Sequence, residues 1–411
     1  MTLAEQPKSD WLKISQFVFS LLAFCFTILA AAGFFAGGIL FNDLPDFSSQ
    51  ETTLFSAFGS FFLFQSIIHL LAMIHAIKKT TPPQQKTTKS FLHASLFLLF
   101  WAIILVLQYF QIGNQFLAPI LPFLTPLAVW IPIWWFVEFG KRKITPLSSR
   151  KRFGALSTGS SYTMILIMCV EIILIAIIGA IALLYFSSQP QFQQWMQGFS
   201  LPQALTQIDT PILERYLRVL LQEPLLITGI FLLIGLVIPF IEESLKPLAL
   251  WLLRKRSLSV SEGFLLGLYF GAAFALIESG GMVIQLGLDG WVENILLRSS
   301  TALIHITCSG LVGYGYARAM QPNSNKAFMK PLFISIILHG IWNSLAVLTG
   351  IATISAELDI SFTIPMMLDH VFTGAMVVEW IAIFILLNKM NKKFSQGSLP
   401  LYQNEKGERG F

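Results

Sequence analysis

The chain has 411 residues, of which 55% are hydrophobic and only 12% are charged, and its mean hydropathy is +0.69. A soluble chain of this length would divide into roughly two or three domains and carry far more charge, so the composition excludes a soluble protein. The net charge of +5 does not indicate nucleic-acid binding, because the basic residues lie in short segments between apolar runs. The three cysteines lie inside apolar runs and predict no disulfide framework.

Ten apolar runs are long enough to cross a bilayer as helices. The first, near residues 16–41, is too long for the core of a signal peptide, so we interpret it as a span that remains in the protein. The other runs lie near 54–77, 91–110, 116–139, 161–186, 224–253, 260–285, 293–319, 331–350 and 364–388. The sequence therefore predicts an all-α, polytopic transmembrane bundle.

Lysine and arginine alternate between the loops that join these runs. The loops near 78–89, 141–152, 254–256 and 318–330 and the C-terminal tail are basic, whereas the intervening short loops carry acidic residues or no charge. Because basic loops face the cytoplasm, this pattern predicts that both termini are cytoplasmic. The segment 187–223 is predicted outside; it holds two arginines, but it is long enough for the rule to weaken.

Three regions follow from this pattern. Residues 1–223 form an N-terminal membrane region of five predicted spans plus the external segment, in which Thr210-Pro211 predicts the start of an amphipathic surface helix. Residues 224–390 form a second membrane region that holds most of the intramembrane polar groups. Residues 391–411 are polar and predict a mobile cytoplasmic tail.

The sixth span carries three ionisable residues within five positions, Glu242, Glu243 and Lys246, between Pro239 and Pro247. Each charge at bilayer depth costs about 2.5 kcal/mol or more. On a helix the spacings i, i+3 and i, i+4 let Lys246 reach either carboxylate. The prolines disturb the helix, which is tolerated only where protein or a watery cavity satisfies the backbone. The stretch predicts a polar cavity; the alternative is a charge-neutralised packing device.

The next three spans each add polar groups. The seventh holds Glu278 on the same face as a stripe of small residues that predicts close helix packing: Gly263, Gly267, Gly271, Ala275 and Ser279. The eighth holds His305, with Arg298 on the same face. The ninth carries Ser335, His339 and Asn343 on one stripe.

Counting rise per residue gives the depth of these groups in the bilayer. It places Glu242, His305 and His339 at similar depth, ~12–18 Å from the inner face of the bilayer. Glu278 comes out ~27 Å from the inner face, which is close to the outer surface. Glu171 is a lone acid in the fifth span, and we interpret it as structural or paired.

At these residues the sequence resembles the PrsW family of intramembrane proteases. Glu242-Glu243-Ser-Leu-Lys246 is similar to its E-E-x-x-K motif, and Phe274-Ala-Leu-Ile-Glu278 to its F-x-x-x-E motif. His305 and His339-Gly-Ile-Trp-Asn343 resemble its later histidine motifs. The resemblance covers about residues 225–350. In the related CAAX prenyl endopeptidases the second motif ends in histidine, so their proton-handling scheme does not transfer unchanged to Glu278.

The resemblance implies an intramembrane endopeptidase acting on membrane-anchored proteins or peptides, in the plasma membrane of a bacterial cell. It implies Glu242 as general base, Glu243 as the partner of Lys246, and Glu278 and His305 as groups that orient water or shuttle the proton. His339 and Asn343 would stabilise the oxyanion.

Three alternatives stay open. A metal scheme uses zinc held by His305, His339 and Glu278, although the sequence has no HExxH. A catalytically inactive scaffold or assembly subunit would keep the same fold. A transporter also uses broken helices and charges at the bilayer midplane, but the sequence has no evident internal repeat. The sequence identifies neither the substrate nor the oligomeric state.

Overall fold

A computed structural model describes residues 8–42, 49–78, 87–112, 116, 118–188, 221, 223–251, 258–285, 290–322, 324–357 and 367–396. This part of the chain is almost entirely helical and contains no strand. Ten of its helices are long and apolar enough to cross a membrane. The prediction of an all-α, multi-pass membrane protein with ten spans is therefore confirmed.

We number these ten helices in chain order. Two of them contain a π turn: Gly159–Thr163 in α5 and Leu233–Val237 in α6. The helices are α1 (Lys8–Phe41), α2 (Ser49–Ile77), α3 (Thr87–Tyr109), α4 (Leu121–Gly140), α5 (Ser149–Ser187), α6 (Pro224–Leu245), α7 (Val260–Gln285), α8 (Trp291–Ala319), α9 (Met329–Glu357) and α10 (Met367–Gln396).

Helices α7 and α8 form the centre of the bundle and pack on each other more extensively than any other pair of described helices. Their contact is close because glycines face backbone: Gly267 lies against Ser309 and Gly310, and Gly271 lies against His305 and Ile306. Later residues of α7 contact earlier residues of α8, so the two helices are antiparallel. The small-residue stripe therefore packs as its spacing predicts.

Helix α6 is irregular on both sides of its charged residues. It ends at Leu245, and a turn at Lys246 and Pro247 separates it from the short helix Leu248–Trp251. The helix is therefore interrupted within the predicted run near 224–253, as Pro247 predicts, because its ring cannot continue the helix. On the other side, the Asn343 amide of α9 donates to the Ile234 carbonyl in the π turn (3.2 Å).

The N-terminal helices pack around α7, which contacts α2, α4 and α5. Helix α10 is fixed to the α4–α5 turn, because the Asn391 amide donates to the carbonyls of Gly140 and Arg142 (2.8 and 2.7 Å). Since α10 extends to Gln396, residues 391–396 are helical and do not belong to a tail. The predicted amphipathic helix after Thr210 and residues 397–411 lie outside the described part of the chain.

Candidate active site

The Lys246 ammonium lies at the centre of a buried polar cluster. Its Nζ atom is 2.6 Å from Glu242 Oε2, 2.8 Å from Glu243 Oε1 and 2.8 Å from His305 Nδ1. The helix turn at Lys246 follows the two glutamates directly, which brings all three side chains to one side of α6. Lys246, Glu243 and His305 are fully buried, and Glu242 is 4% exposed. An ammonium has three N–H donors, and here each has an acceptor.

This arrangement fixes the tautomer of His305. Because an ammonium can only donate, His305 Nδ1 accepts from Lys246, and the neutral ring carries its proton on Nε2. That nitrogen lies 2.6 Å from Glu278 Oε2. Arg298 Nη2 lies 2.8 Å from the same carboxylate oxygen. The cluster therefore continues from Lys246 through the imidazole of His305 to Glu278.

Glu278 joins the cluster although its backbone lies about two helical turns from His305. Side chains lean toward the N-terminus of their own helix, and on antiparallel neighbours this makes Glu278 and His305 lean toward each other. Depth counted along the backbone, which placed Glu278 too shallow, ignores this lean. Glu278 is also less buried than Glu242 and Glu243, with 25% of its side chain exposed.

His339 enters from α9 and contacts the other glutamate. Its Nδ1 atom is 3.1 Å from Glu243 Oε1, while its Nε2 atom is 3.9 Å from Glu242 Oε2. The ring lies perpendicular to that of His305, with 4.8 Å between the centroids. If the Glu243 carboxylate holds the proton on Nδ1, then Nε2 is an acceptor and faces Glu242.

Phe274 supports the cluster and was not among the predicted site residues. Its ring lies 3.9 Å below Lys246 Nζ and makes an edge contact with His305, at 5.0 Å between centroids. Such a face stabilises an ammonium that has left water. The F-x-x-x-E spacing could have indicated that Phe274 lies at the site, since Phe274 and Glu278 share a helix face.

Two residues make contacts that the sequence did not predict. The Asn343 amide donates to the backbone carbonyl of Ile234, so Asn343 supports the π turn of α6. Glu171, which the sequence predicts to be structural or paired, lies within electrostatic range of Glu242, Lys246 and Glu278. It follows Met164 and Ile167, which pack against Phe274, at helical spacing.

Glu242, Glu243, His305 and His339 could together hold a metal ion, since one donor atom from each lies within 4.8 Å of the others. The predicted set contained Glu278 with the two histidines. Glu278 instead approaches His305 Nε2, whereas the opposite nitrogen of that ring, Nδ1, lies 3.8 Å from Glu242 Oε2. Glu278 therefore has the position of a group that orients a ligand rather than that of a ligand.

Comparison with known proteins identifies the domain that holds this cluster. Residues 206–373 match the family described as PrsW family intramembrane metalloprotease. This part of the chain is therefore similar to the PrsW family. No curated protein and no solved structure matches the chain. The PrsW-family domain contains α6, α7, α8 and α9, and thus every cluster residue except Glu171. The family match supports an intramembrane protease.

The metal ion implied by the family description can be tested against the donor atoms. Two imidazoles and two carboxylates are ligands that zinc, the ion predicted from the sequence, accepts, so the residue types fit. However, the Lys246 ammonium lies 2.6–2.8 Å from Glu242 Oε2, Glu243 Oε1 and His305 Nδ1, which belong to three of the four candidate ligand residues. A metal ion bound about 2 Å from these same atoms would meet the ammonium. The geometry does not accommodate both cations.

Proposed function

We propose that the chain hydrolyses peptide bonds of membrane-anchored substrates with Glu242 as the general base. The observation that carries the proposal is the 3.9 Å gap between Glu242 Oε2 and His339 Nε2. Two polar atoms at this separation suit a bridging water. That water would donate one hydrogen to Glu242 and one to His339 Nε2, which leaves an oxygen lone pair free to attack a carbonyl carbon.

The two glutamates have different roles because their contacts differ. Glu243 is fully buried and is occupied by Lys246 and His339, so it holds the ammonium and the imidazole in place. Glu242 has one ammonium contact and lies at the edge of the gap. Glu242 takes the proton from the water as the carbon–oxygen bond forms, and returns it to the amine nitrogen when the carbon–nitrogen bond breaks.

The oxyanion that forms on the carbonyl oxygen needs donors. Asn343 can supply the second N–H of its amide, since the first is used by Ile234. His339 does not donate to the oxyanion in this scheme, because its Nε2 accepts a hydrogen bond from the water.

The charges of the cluster nearly balance. Glu242, Glu243 and Glu278 carry three negative charges, whereas Lys246 and Arg298 carry two positive charges, which leaves a net charge of −1 with neutral histidines. The chain of contacts from Lys246 through His305 to Glu278 would move a proton between substrate and solvent.

The cleavage test compares Glu242→Gln with the wild-type chain. The amide keeps the size of the side chain but cannot accept the proton, so cleavage should fall at least ~10²-fold. The purified full chain is placed in liposomes with a panel of membrane-spanning reporter peptides, and products are identified by mass spectrometry. Glu293→Gln is the matched control, since Glu293 is exposed in the first turn of α8.

Two outcomes contradict parts of the proposal. Equal cleavage by wild type and Glu242→Gln would show that Glu242 is not the base. A folded wild-type chain that cleaves no reporter would favour the alternative of an inactive scaffold or assembly subunit. The transporter alternative has less support, because every described member of the cluster except Glu171 lies in one half of the chain.

A further inference from the structure

A cavity of about 710 Å³ lies between α1, α2, α5 and α7. Its walls are mainly aromatic and aliphatic, and include Phe58, Phe61 and Ile277. At one edge, large apolar side chains are exposed on the outside of the bundle: Leu22 (57%), Phe26 (63%), Ile165 (53%) and Met168 (43%). Exposed apolar side chains on membrane helices face lipid, so this edge is an opening toward the bilayer.

The cavity reaches the cluster through Glu278. Glu278 is part of its wall, and the same carboxylate lies 2.6 Å from His305 Nε2. The side chain of Glu278 is 25% exposed, whereas that of Glu242 is 6% exposed and that of Glu243 is fully buried. A molecule that enters this cavity from lipid therefore meets the cluster at Glu278.

We propose that this cavity binds apolar side chains next to the scissile bond of a membrane-spanning substrate segment. The proposal rests on the protease function proposed above and adds where the substrate binds. It also gives the N-terminal region a role, because α1, α2 and α5 lie before residue 206, where the family match begins. Those helices would then determine which apolar side chains are accepted.

Hydrogen bonding favours a peptide over a phospholipid as the occupant. The acidic and basic residues of the wall are Glu278, which is paired with Arg298, and His69. The Glu278 carboxylate can accept a hydrogen bond from a backbone N–H, a donor that phosphatidylcholine lacks. The polar side chains Gln65 and Thr27 already donate to backbone carbonyls, at Ser160 and Ala23. The interior therefore suits apolar side chains, with an acceptor at the end near the cluster.

Gly281 allows the cavity to be filled without disturbing the fold. It lines the cavity, and a side chain added there meets no atom within 4 Å. Its neighbour Gly280 is different, because it packs tightly against Phe61. Gly281→Leu should therefore occupy cavity space, whereas Gly179→Leu adds the same side chain to an exposed position of α5 with no atom within 4 Å. Gly179→Leu is the matched control.

The experiment measures binding rather than cleavage. The full chain in phosphatidylcholine liposomes is irradiated with a lysine-flanked Leu/Ala membrane-spanning peptide that carries one diazirine-leucine, and labelled positions are mapped by mass spectrometry. We expect label on Phe58 and Met168 in wild type and Gly179→Leu, and roughly tenfold less in Gly281→Leu, since one leucine-sized contact is lost. Met168→Trp fills the cavity from α5 and should act as Gly281→Leu does.

A second arm uses phosphatidylcholine with a diazirine in the acyl chain. If this lipid labels the cavity and the peptide does not displace it, the occupant is lipid and the proposal is wrong. Equal peptide labelling in wild type, Gly281→Leu and Met168→Trp would also overturn it. If the peptide labels the wild-type cavity but no reporter is cleaved, the protease function fails while the binding site stands, so the two failures are distinguishable.

Discussion

The contacts of the Lys246 side chain determine which cation occupies the centre of the buried cluster. Its spacing predicted contact with either glutamate, and the structure gives it both, at 2.6 and 2.8 Å. Its third contact, to His305, crosses 59 positions and could not be predicted from spacing. With all three donors used, the ammonium has the place that a metal ion would take among the candidate ligands. We therefore propose that Lys246 is the resident cation of the cluster.

The first prediction tests this proposal through metal content. Purified wild-type chain should bind substoichiometric zinc and keep its cleavage activity in the presence of a chelator. Lys246→Met removes the ammonium and leaves the four donors, so it should bind about one equivalent of Zn²⁺ or Co²⁺. Elemental analysis gives the stoichiometry, and the visible absorption of tetrahedral Co²⁺ reports binding independently of activity.

Lys246→Arg is the control for this measurement, because it keeps a cation at the position and should bind no metal. Melting curves show whether each variant is folded. Stoichiometric zinc in the wild-type chain, or a loss of activity with chelator that zinc restores, would contradict the assignment of Lys246 as the resident cation.

A second prediction concerns Glu243, which contacts both Lys246 and His339. Glu243→Gln removes a buried charge partner, so it should lower stability by about 3 kcal/mol as well as lowering the cleavage rate. Adding Lys246→Met should restore part of that stability, because both charges of the pair are then absent. Thermal melts of the single and double variants in detergent measure this. A double variant less stable than Glu243→Gln alone would contradict the pairing.

At the scale of helices, the sequence predicts which face of a helix packs closely, but it does not predict which residues of the neighbouring helix that face contacts. The glycine spacing of α7 correctly indicates a close neighbour, because a stripe at i+4 has only one physical use in lipid. The π turn of α6 was not predicted, since it depends on Asn343 and Gly340 of another helix. The position of Glu278 was missed for a similar reason: side-chain lean matters only once the direction of the neighbouring helix is known.

The corresponding prediction is that Gly271→Leu lowers cleavage without removing a polar group. A side chain at Gly271 would collide with the backbone of His305 and Ile306, so α7 and α8 must separate and Glu278 moves away from His305. Activity per folded molecule should fall, whereas Gly179→Leu, which meets open space, should leave it unchanged. Wild-type turnover by Gly271→Leu at normal protein levels would mean that this contact does not position the cluster.

In the whole molecule, the helices that carry His305 and Glu278 are the most enclosed. In the apolar 18-residue stretches of α7 and α8, 78% and 83% of the residues are buried. In the corresponding stretches of α3 and α5 only 11% are buried, so these helices face outward. Hydropathy predicted the number of spans because it depends on each segment alone. It could not predict which spans are central, since all ten are apolar and the order of packing is set by small residues and polar contacts between helices.

The last prediction concerns the orientation of the whole bundle in the membrane. Several described basic residues fall at one end of it: Lys141, Lys151 and Arg318, together with Lys393 near the end of α10. By the positive-inside rule this end is cytoplasmic, which places both termini inside and the segment 187–223 outside. Reporter tags at each terminus and within 187–223 should give cytoplasmic, cytoplasmic and external signals. An external C-terminus would contradict the ten-span topology, because an even number of crossings returns the chain to its starting side.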